Sequence, residues 1–242
     1  MRITQGYVSK SISDFPFHQI YSLDDYNERK EPAVFFGMYR YEDFVLANQH
    51  NSDTIVFWTG QDALDKRHWP KLIGKNVTAH KRVYDRFNEL GIQIEKVKPS
   101  TFLNSVDPQR LGPKIYAYCP NSAPDYHGKK TLGELKYNIT IGNGETPQHL
   151  WRHTCDAFYN DIFIGLCLSE FAGGGTSIIE MGLRGIRVVT NVFDLPHCIP
   201  WETSTDVANI IEKEKTLIGT TNKKLAQNVW EALDHDFKWL ET

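Results

Sequence analysis

Glycine occupies positions 173–175, and Thr176, Ser177 and, about one helical turn further on, Glu180 follow. The apolar run at 162–168 predicts a buried strand, and the sequence from Thr176 onward predicts a helix. The glycines therefore form the turn from a parallel strand into a helix N-terminus, where unpaired N–H groups and the helix dipole favour negative charge. Because glycine has no Cβ, a phosphate can approach this backbone closely, and Thr176 or Ser177 can cap the helix or bind a phosphate oxygen.

Glu180 is too close to the predicted phosphate position to bind phosphate itself, because a carboxylate and a phosphate repel each other. Its natural partner is a pair of hydroxyls such as those of a ribose. The pattern thus indicates a nucleoside diphosphate at the carboxyl ends of a parallel sheet. Alternatively, the glycines only permit a tight turn and Glu180 is a solvated helix residue. The stretch matches neither the dinucleotide pattern G-x-G-x-x-G nor the Walker pattern G-x-x-x-x-G-K-[ST].

Strand-like and helix-like segments alternate along the chain, which predicts an α/β fold with largely parallel sheets. In the segment HKRVYDRFNELG, residues 80–91, the apolar side chains share one helical face, and Gly91 stands where a left-handed C-terminal cap is usual. The predicted strands lie at 33–36, 53–58, 76–78, 92–97, 114–119, 137–142, 162–168 and 186–190.

Residues 98–114 lose this periodicity and contain three prolines and a glycine. They predict a linker between an N-terminal domain, residues 1–105, and a C-terminal domain, residues 114–242. In the last segment, 222–240, apolar residues recur three or four positions apart. This spacing predicts an amphipathic helix that closes the fold and can pack back on the N-terminal domain.

The segment GLCLSEFAGGGTSIIEMGLRGIRVVTN, residues 165–191, resembles the donor-binding motif of nucleotide-sugar-dependent glycosyltransferases of GT-B fold. In many of these enzymes a strand, a glycine-containing turn and a helix with a ribose-binding glutamate are followed by a strand of this type. The resemblance implies two Rossmann-like domains that face a cleft, with Glu180 on the donor ribose. It also implies a diphosphate cradle formed by Gly174, Gly175, Thr176 and Ser177.

The spacing of acidic residues in this motif leaves the stereochemistry of transfer open. The common retaining branch of the family has two glutamates separated by seven residues. Here nine residues separate Glu170 from Glu180, so the first glutamate of that pattern is not carried over.

The segment KIYAYCPNSAPDYHGKKTLGEL, residues 114–135, looks like the entry into the donor domain of the same enzymes. In that family a loop lysine or arginine commonly meets the diphosphate. Lys129, followed by Lys130, suits a point-charge phosphate ligand, and Tyr126 can stack or hydrogen bond nearby. Alternatively, both lysines are solvated at a helix start and Tyr126 only packs.

Three residues of the N-terminal half are candidates for catalysis. Asp62 follows a strand-ending glycine and can deprotonate or bind an acceptor hydroxyl; alternatively, it caps a helix that begins near Ala63. His80, which precedes the next helix, is the other candidate base, although a lone histidine is more often structural. Arg40, after the strand at 33–36, can offset charge on the leaving diphosphate.

The composition narrows the class of protein. The 242 residues include 27 basic and 30 acidic side chains, a net charge of −3, so the chain lacks the basic field that nonspecific nucleic-acid binding requires. No apolar run approaches the roughly 20 residues that span a bilayer. The N-terminal sequence also lacks a secretion-signal pattern, which predicts a soluble, cytoplasmic protein. The four cysteines form no C-x-x-C pair, which favours reduced, mostly buried thiols.

Residues 234–236, Asp-His-Asp, match the D-x-D motif with which glycosyltransferases of another fold hold a divalent ion. That motif belongs on a loop after a strand, whereas this one falls within the predicted final helix. We therefore assign it to a solvated helix face and expect no essential metal and no other cofactor. The helix dipole and a basic diphosphate site would take the place of the metal.

Taken with the resemblance, the sequence predicts a compact glycosyltransferase that moves a sugar from a nucleoside-diphosphate sugar to a hydroxyl of a glycan or small acceptor. One alternative is a nucleotide-sugar epimerase of the same fold, and another is a non-catalytic nucleotide-sugar-binding or scaffold module. Transfer needs an acceptor, epimerisation needs none, and a scaffold shows binding alone. The donor base and sugar, the acceptor and the oligomeric state are left open.

Overall fold

The structure is a computed structural model, and its chain forms two compact units. It describes residues 2–13, 15, 17–27, 30–64, 74–101, 103–121, 123–142, 159, 161–169, 171 and 175–241. Unit 1 consists of Met1–Phe102 and Leu233–Thr242, and unit 2 of Leu103–Ala232. The sequence places its domains at 1–105 and 114–242, so the units differ from it mainly in the assignment of the last ten residues.

A sheet of parallel strands forms the centre of unit 1. In chain order the strands and helices are β1 Gln5–Val8, α1 Phe17–Tyr21, β2 Asp24–Asp25, β3 Ala33–Phe36, α2 Tyr41–Gln49, β4 Thr54–Phe57, β5 Lys75–Thr78, α3 Lys81–Glu89 and β6 Glu95–Lys96. They pair in the order β2-β1-β3-β4-β5-β6, and each pairing is parallel. From β1 the chain adds β2 on one side, and from β3 onward it adds strands on the other side. The strand order therefore reverses between β1 and β3.

The central strands of unit 1 follow directly from its sequence. All four residues of β3 and all four of β4 are buried, as expected for short apolar runs in a parallel sheet. The apolar face of α3 buries Val83 and Phe87. Gly91 has a φ of +70°, which confirms the predicted left-handed cap beyond this helix.

The last described residues return to unit 1 and help to form its core. Trp239 and Leu240 are 4% and 0% exposed, and the Trp239 ring lies 5.3 Å from that of Phe57. The Ile3 N–H donates to the Leu240 carbonyl at 2.9 Å, and Lys75 Nζ donates to the Trp239 carbonyl at 3.3 Å. The core of unit 1 is therefore completed by residues far along the sequence from its strands.

The helix predicted over 222–240 is shorter in the structure, where it spans Lys223–Ala232. Asp234 diverts the chain because its Oδ1 accepts from the N–H groups of Asp236 and Phe237 at 3.2 and 3.0 Å. Phe237 then takes a positive φ of 52°. The prediction of a continuous helix to residue 240 is wrong, and the D-x-D match lies in a turn rather than on a helix.

Unit 2 contains a second sheet of parallel strands. In chain order its elements are β7 Lys114–Tyr118, α4 Lys129–Glu134, β8 Ile139–Gly142, β9 Ile162–Cys167, α5 Gly175–Leu183, β10 Arg187–Thr190, β11 Cys198–Ile199, α6 Ser204–Glu214 and α7 Lys223–Ala232. The strands pair in the order β11-β10-β9-β7-β8, and each pairing is parallel. The predicted α/β fold with two Rossmann-like, parallel-sheet units is confirmed.

The strand order of the second sheet reverses between β7 and β9. The connection from β7 to β8 runs one way along the sheet and that from β9 to β10 runs the other way. Right-handed crossovers then place α4 and α5 on opposite faces, in agreement with the packing of α4 on α6 and of α5 on α7. In open α/β sheets, ligands bind outside the carboxyl ends of the strands at such a reversal.

Helix α5 lies close against β9. A Cβ atom at Gly165, in the middle of β9, would collide with the Met181 side chain of α5. The helix also buries Ile178 and Leu183, which are 0% and 1% exposed. Because strand and helix fit so closely, the N-terminus of α5 is fixed at the carboxyl edge of the sheet.

The second part of the predicted linker is tied to unit 2. The N–H groups of Asp107 and Gln109 donate to the carbonyls of Leu183 and Arg184, both at 3.1 Å. The last carbonyls of a helix have no acceptor role within that helix. Asp107 and Gln109 therefore cap the C-terminal end of α5.

Candidate functional site

Helix α5, which follows β9 along the chain, carries several predicted donor-binding residues at the carboxyl edge of the second sheet. Every residue of β9 is buried, and α5 begins at Gly175. Thr176 and Ser177 are half-buried in its first turn, where helix N–H groups have no intrahelical acceptor. Gly174 and Glu170 lie outside the described residues.

Glu180 is a buried residue of α5 and has specific partners. Its exposed fraction is 8%, and its Oε2 accepts a hydrogen bond from the Tyr159 hydroxyl at 3.0 Å. Arg184 Nη1 donates to the Glu180 carbonyl at 3.2 Å, and the Arg184 guanidinium lies 4.9 Å from the centroid of the Tyr159 ring. The alternative in which Glu180 is a solvated helix residue is therefore wrong.

This environment constrains what the Glu180 carboxylate can do. A carboxylate is retained in a buried position only where hydrogen bonds or opposite charge compensate for its lost hydration. Tyr159 supplies a hydrogen bond, and Arg184 supplies positive charge close by. Glu180 is thus an oriented hydrogen-bond acceptor in the second turn of α5.

A second contact joins the loops that follow β7 and β9. His127 Nδ1 lies 3.0 Å from Ser169 Oγ, and the two residues are 8% and 1% exposed. Burial lowers the pKa of His127 to about 4, so its imidazole is neutral at pH 7. The pair bridges the strands between which the strand order reverses, and it holds the two loops together at the candidate site.

The candidates Lys129 and Tyr126 lie at the same edge. Lys129 is an exposed residue at the start of α4. Burial raises the pKa of the Cys119 thiol at the end of β7, and the positive charge of Lys129 opposes this rise. Tyr126 is half-buried, and its ring meets the His127 ring edge-to-face at 4.9 Å. Their roles as donor-binding residues stay predictions.

In unit 1, the Asp62 carboxylate is surrounded by backbone donors. Asp62 is 2% exposed and accepts from the N–H groups of Met38, Thr59, Gly60 and Ala63 at 2.8–3.2 Å. Burial raises the pKa of Asp62 to about 6, and the four N–H groups oppose this rise. The carboxylate joins the loops after β3 and β4. This geometry favours a loop-organising role, and the role of catalytic base stays a prediction.

His80 and Arg40 differ sharply in their surroundings. His80 precedes α3, is 8% exposed, and burial lowers its pKa to about 4. An imidazole with so low a pKa is a weak base at pH 7. Arg40 precedes α2 and is exposed, and its backbone N–H donates to Asp43 Oδ2 at 2.8 Å. Of the two, Arg40 has the better access for an anionic ligand.

Sequence reasoning missed several residues at the two sheet edges. Tyr159 precedes Glu180 by 21 positions, and no motif relates the two. His127 and Ser169 fall inside the two segments that carry the resemblance, next to the residues that were singled out. A histidine directly before the glycine at 128 was the available signal for the first of them.

Asp43 is a further missed residue, in unit 1. It is 0% exposed, and it accepts from the Tyr7 hydroxyl at 2.7 Å and from the Ser9 hydroxyl at 2.8 Å. Its position in the first turn of α2 resembles that of any solvated acidic residue near a helix start. The contacts instead connect α2 with the carboxyl end of β1.

Neither a metal centre nor a membrane-spanning helix is found among the residues that the structure describes. They contain no group of three or more His, Cys, Asp or Glu side chains placed to hold a metal ion. No helix in the described part of the chain is both long and apolar enough to cross a membrane. Among the described residues, Cys119, Cys167 and Cys198 are thiols rather than disulfide-bonded cysteines, and burial raises the pKa of each.

Comparison with known proteins adds a similarity of fold. No protein-family model and no curated protein matches the sequence. Among solved structures, the chain is similar to TarM, a glycosyltransferase, with a TM-score of 0.53 and 12% sequence identity. The match covers 86% of this chain and 53% of TarM, so the chain spans about half the length of TarM. At this identity the likeness shows the fold, a GT-B-like pair of Rossmann-like units.

Proposed function

We propose that the protein is a glycosyltransferase that binds a nucleoside-diphosphate sugar at the carboxyl edge of the second sheet. It would transfer the sugar to a hydroxyl of a glycan or small acceptor. The observation that supports the proposal is that α5 follows β9 at the edge where the strand order reverses and carries the buried Glu180 in its second turn. The similarity of fold to TarM supports the same class of enzyme.

In this proposal the diphosphate binds at the N-terminus of α5. The partial positive charge of the helix end and its N–H groups stabilise the phosphate oxygens, and the hydroxyls of Thr176 and Ser177 add hydrogen bonds. Gly174 and Gly175 complete the predicted cradle, and Lys129 adds a positive charge. As the bond to the sugar breaks, the leaving diphosphate gains negative charge. These groups therefore bind the transition state more strongly than the ground state.

Glu180 binds the ribose in the same proposal. An ionised carboxylate accepts hydrogen bonds and donates none, so vicinal hydroxyls are suitable partners and phosphates are not. Its burial beside Tyr159 and Arg184 favours a fixed orientation, which a specific contact to a ribose needs. The rise of about 7.5 Å along the helix axis from Gly175 to Glu180 suits a nucleoside that extends along α5.

The three candidate catalytic residues of unit 1 differ in how accessible they are to a ligand. Arg40 is exposed and suits an anionic ligand, whereas Asp62 and His80 are buried. We therefore propose that catalysis comes mainly from positioning the substrates and from stabilising the leaving diphosphate. A base that deprotonates the acceptor stays a prediction for Asp62 or His80.

Calorimetric titration with UDP, GDP, CDP and TDP, with and without Mg²⁺, tests the donor site. We expect one of these nucleotides to bind without Mg²⁺, because the helix N-terminus and Lys129 supply the positive charge. Glu180→Ala should weaken this binding by about tenfold or more, since a hydrogen bond to a charged group is lost. Glu231→Ala is the matched control, because it removes an exposed glutamate from α7, and it should bind like the wild type.

The outcomes of this titration separate the candidate functions. If no nucleotide binds to the wild type, or if Glu180→Ala binds equally well, the donor site is wrong. Once the nucleotide is known, its sugar derivatives can be incubated with and without a panel of hydroxyl acceptors. Transfer requires an acceptor, an epimerase changes the donor alone, and a scaffold returns the donor unchanged.

A further inference from the structure

Three buried side chains restrain one another around the Glu180 carboxylate. Tyr159 is 0% exposed, Glu180 8% and Arg184 6%. The Tyr159 hydroxyl donates to Glu180 Oε2 at 3.0 Å, and the Arg184 guanidinium lies 4.9 Å from the centroid of the Tyr159 ring. Arg184 Nη1 also donates to the Glu180 backbone carbonyl at 3.2 Å. The three contacts link the carboxylate, the aromatic ring and one turn of α5.

These contacts fix the carboxylate before any ligand arrives. A glutamate side chain has several rotatable bonds, whose freedom a ligand must otherwise remove when it binds. A buried tyrosine hydroxyl needs a hydrogen-bond partner, and here that partner is Glu180 Oε2. Because Arg184 stacks on the ring that carries this hydroxyl, the direction of the donor is fixed as well.

We propose that Tyr159 is a positioning residue for Glu180, held in place by Arg184, and that it orients the carboxylate toward the two vicinal hydroxyls of a ribose. This inference rests on the proposed function, in which Glu180 binds the ribose of the donor. Its consequence is a selectivity of the donor site. Ribonucleoside diphosphates bind, and their 2′-deoxy counterparts are discriminated against.

The discrimination follows from the rigidity of the acceptor. A 2′-deoxyribose lacks one of the two hydroxyls, so one acceptor position of a charged and shielded carboxylate is left without its donor. A mobile carboxylate could turn toward the remaining hydroxyl or toward water, but the carboxylate held by Tyr159 is restrained. We expect the wild type to bind the ribonucleotide about tenfold or more tightly than the 2′-deoxynucleotide.

The test compares the two ligands on the wild type and on Tyr159→Phe. Phenylalanine keeps the ring beneath Arg184 and removes only the hydroxyl. We expect the ratio of the two dissociation constants to fall toward one, with a loss of about three- to tenfold in affinity for the ribonucleotide. Tyr137→Phe is the matched control, because it removes a tyrosine–glutamate hydrogen bond of 2.7 Å to Glu212 elsewhere in unit 2. It should leave the ratio unchanged.

A double-mutant cycle with Glu180→Ala, which removes the acceptor of the Tyr159 hydroxyl, shows whether Tyr159 acts through Glu180. The effect of Tyr159→Phe on the ratio should vanish in the Glu180→Ala background, whereas a purely structural effect would persist there. If Tyr159→Phe does not fold, Arg184→Lys replaces it. Lysine keeps the charge but loses the planar stack, and it should lower the ratio in the same direction.

The failures of the two proposals are distinguishable. A wild type that binds no nucleoside diphosphate overturns the proposed function, and this inference with it. A wild type that binds, loses affinity in Glu180→Ala and yet keeps its full ribose selectivity in Tyr159→Phe and Arg184→Lys overturns the positioning role alone. Equal binding of both ligands by the wild type also overturns the inference.

Discussion

Both sheets contain a reversal of strand order, but the acidic residues at their carboxyl edges have different hydrogen-bond partners. At the first sheet, Asp62 and Asp43 direct their carboxylates to backbone N–H groups and hydroxyls of neighbouring loops. At the second sheet, Glu180 accepts from a tyrosine side chain, and a helix of nine residues starts directly at the edge. The two carboxylates of the first edge thus organise loops, whereas the Glu180 carboxylate is held by a side-chain hydroxyl.

This difference shows that position at a sheet edge does not by itself indicate chemistry. Asp62 and Glu180 are both acidic, both buried and both near strand ends. They differ in the source of their donors, which are four backbone N–H groups for Asp62 and a side-chain hydroxyl for Glu180. A carboxylate held by backbone is part of the scaffold, and its loss should affect stability more than binding.

Deletion of Leu233–Thr242 should have the largest effect and should fall on unit 1. Burial of Trp239 and Leu240 contributes roughly 5 kcal/mol together, which approaches the total stability of a small domain. We expect the amides of unit 1 to lose their protection in hydrogen-exchange mass spectrometry while those of unit 2 keep much of theirs. Lys238→Ala, at an exposed position of the same segment, is the control and should leave both units protected.

Acidification from pH 7 to pH 5 should destabilise unit 2. Burial lowers the pKa of His127 and of His197 to about 4, below the ordinary value of 6.5. The unfolded chain therefore binds protons first as the pH falls, and stability decreases below about pH 6.5. Each histidine contributes a loss of about 2 kcal/mol by pH 5. Glu214, whose pKa burial raises, offsets part of this loss.

Unit 1 should lose less stability over the same range. His80 and His50 have lowered pKa values and act as in unit 2. Asp62 acts in the opposite sense, because its pKa is raised to about 6 and the folded state takes up its proton between about pH 6 and pH 4. Hydrogen exchange of both units at pH 7 and pH 5, corrected for intrinsic rates, measures the two losses. Equal losses in both units would contradict this assignment.

Asp62→Ala should destabilise unit 1 by about 3 kcal/mol, because four backbone N–H groups lose their buried acceptor. Nucleotide affinity at unit 2 should stay unchanged. Denaturant titration and calorimetry measure the two quantities. Asp85→Ala, which removes an exposed ion pair with Lys81, is the control and should cost less than about 1 kcal/mol. A stable Asp62→Ala variant without transferase activity would instead favour the role of catalytic base.

Lys129→Ala should have the smallest effect. It tests whether Lys129 lies near the phosphates of a nucleotide bound at the carboxyl edge of the second sheet. The side chain is exposed, so loss of its charge should weaken nucleoside diphosphate binding only about threefold at low salt. Binding of the corresponding nucleoside without phosphates should not change. The difference between the two ligands, measured by calorimetry at two salt concentrations, isolates the contribution of the charge. An equal effect on both ligands would place Lys129 away from the phosphates.

The sequence predicts those helices and strands whose own residues form a clear local pattern, without contacts to distant parts of the chain. Strand β9 and helix α5 could be predicted because a continuous apolar run passes through a glycine turn into a helical pattern. Strand β1 could not be predicted, because it contains the polar residue Gln5. Gln5 is nevertheless only 3% exposed, and its Nε2 donates to the carbonyl of the distant Glu31 at 3.1 Å. Strand β11 contains only Cys198–Ile199 and is too short to produce a pattern.

The candidate site shows the same division. The glycines and Glu180 could be singled out because they are close together in sequence. The burial of Glu180 could not be predicted, because it depends on Tyr159, which lies 21 positions away. Likewise, Asp62 could be placed at a strand end, but its four donors arise from the conformations of two separate loops. Tertiary contacts, rather than local sequence, decide which acidic residue is available to a ligand.

The return of residues 233–241 to unit 1 also sets the order in which the protein is completed on the ribosome. All of Leu103–Ala232 is synthesised before the segment that completes the core of unit 1. Unit 2 is therefore the first to have all its residues, although synthesis of unit 1 begins first. Until Trp239 is added, the rings of Tyr21 and Phe57 lack one of their aromatic partners, and we expect the unfinished chain to expose apolar surface that chaperones can bind.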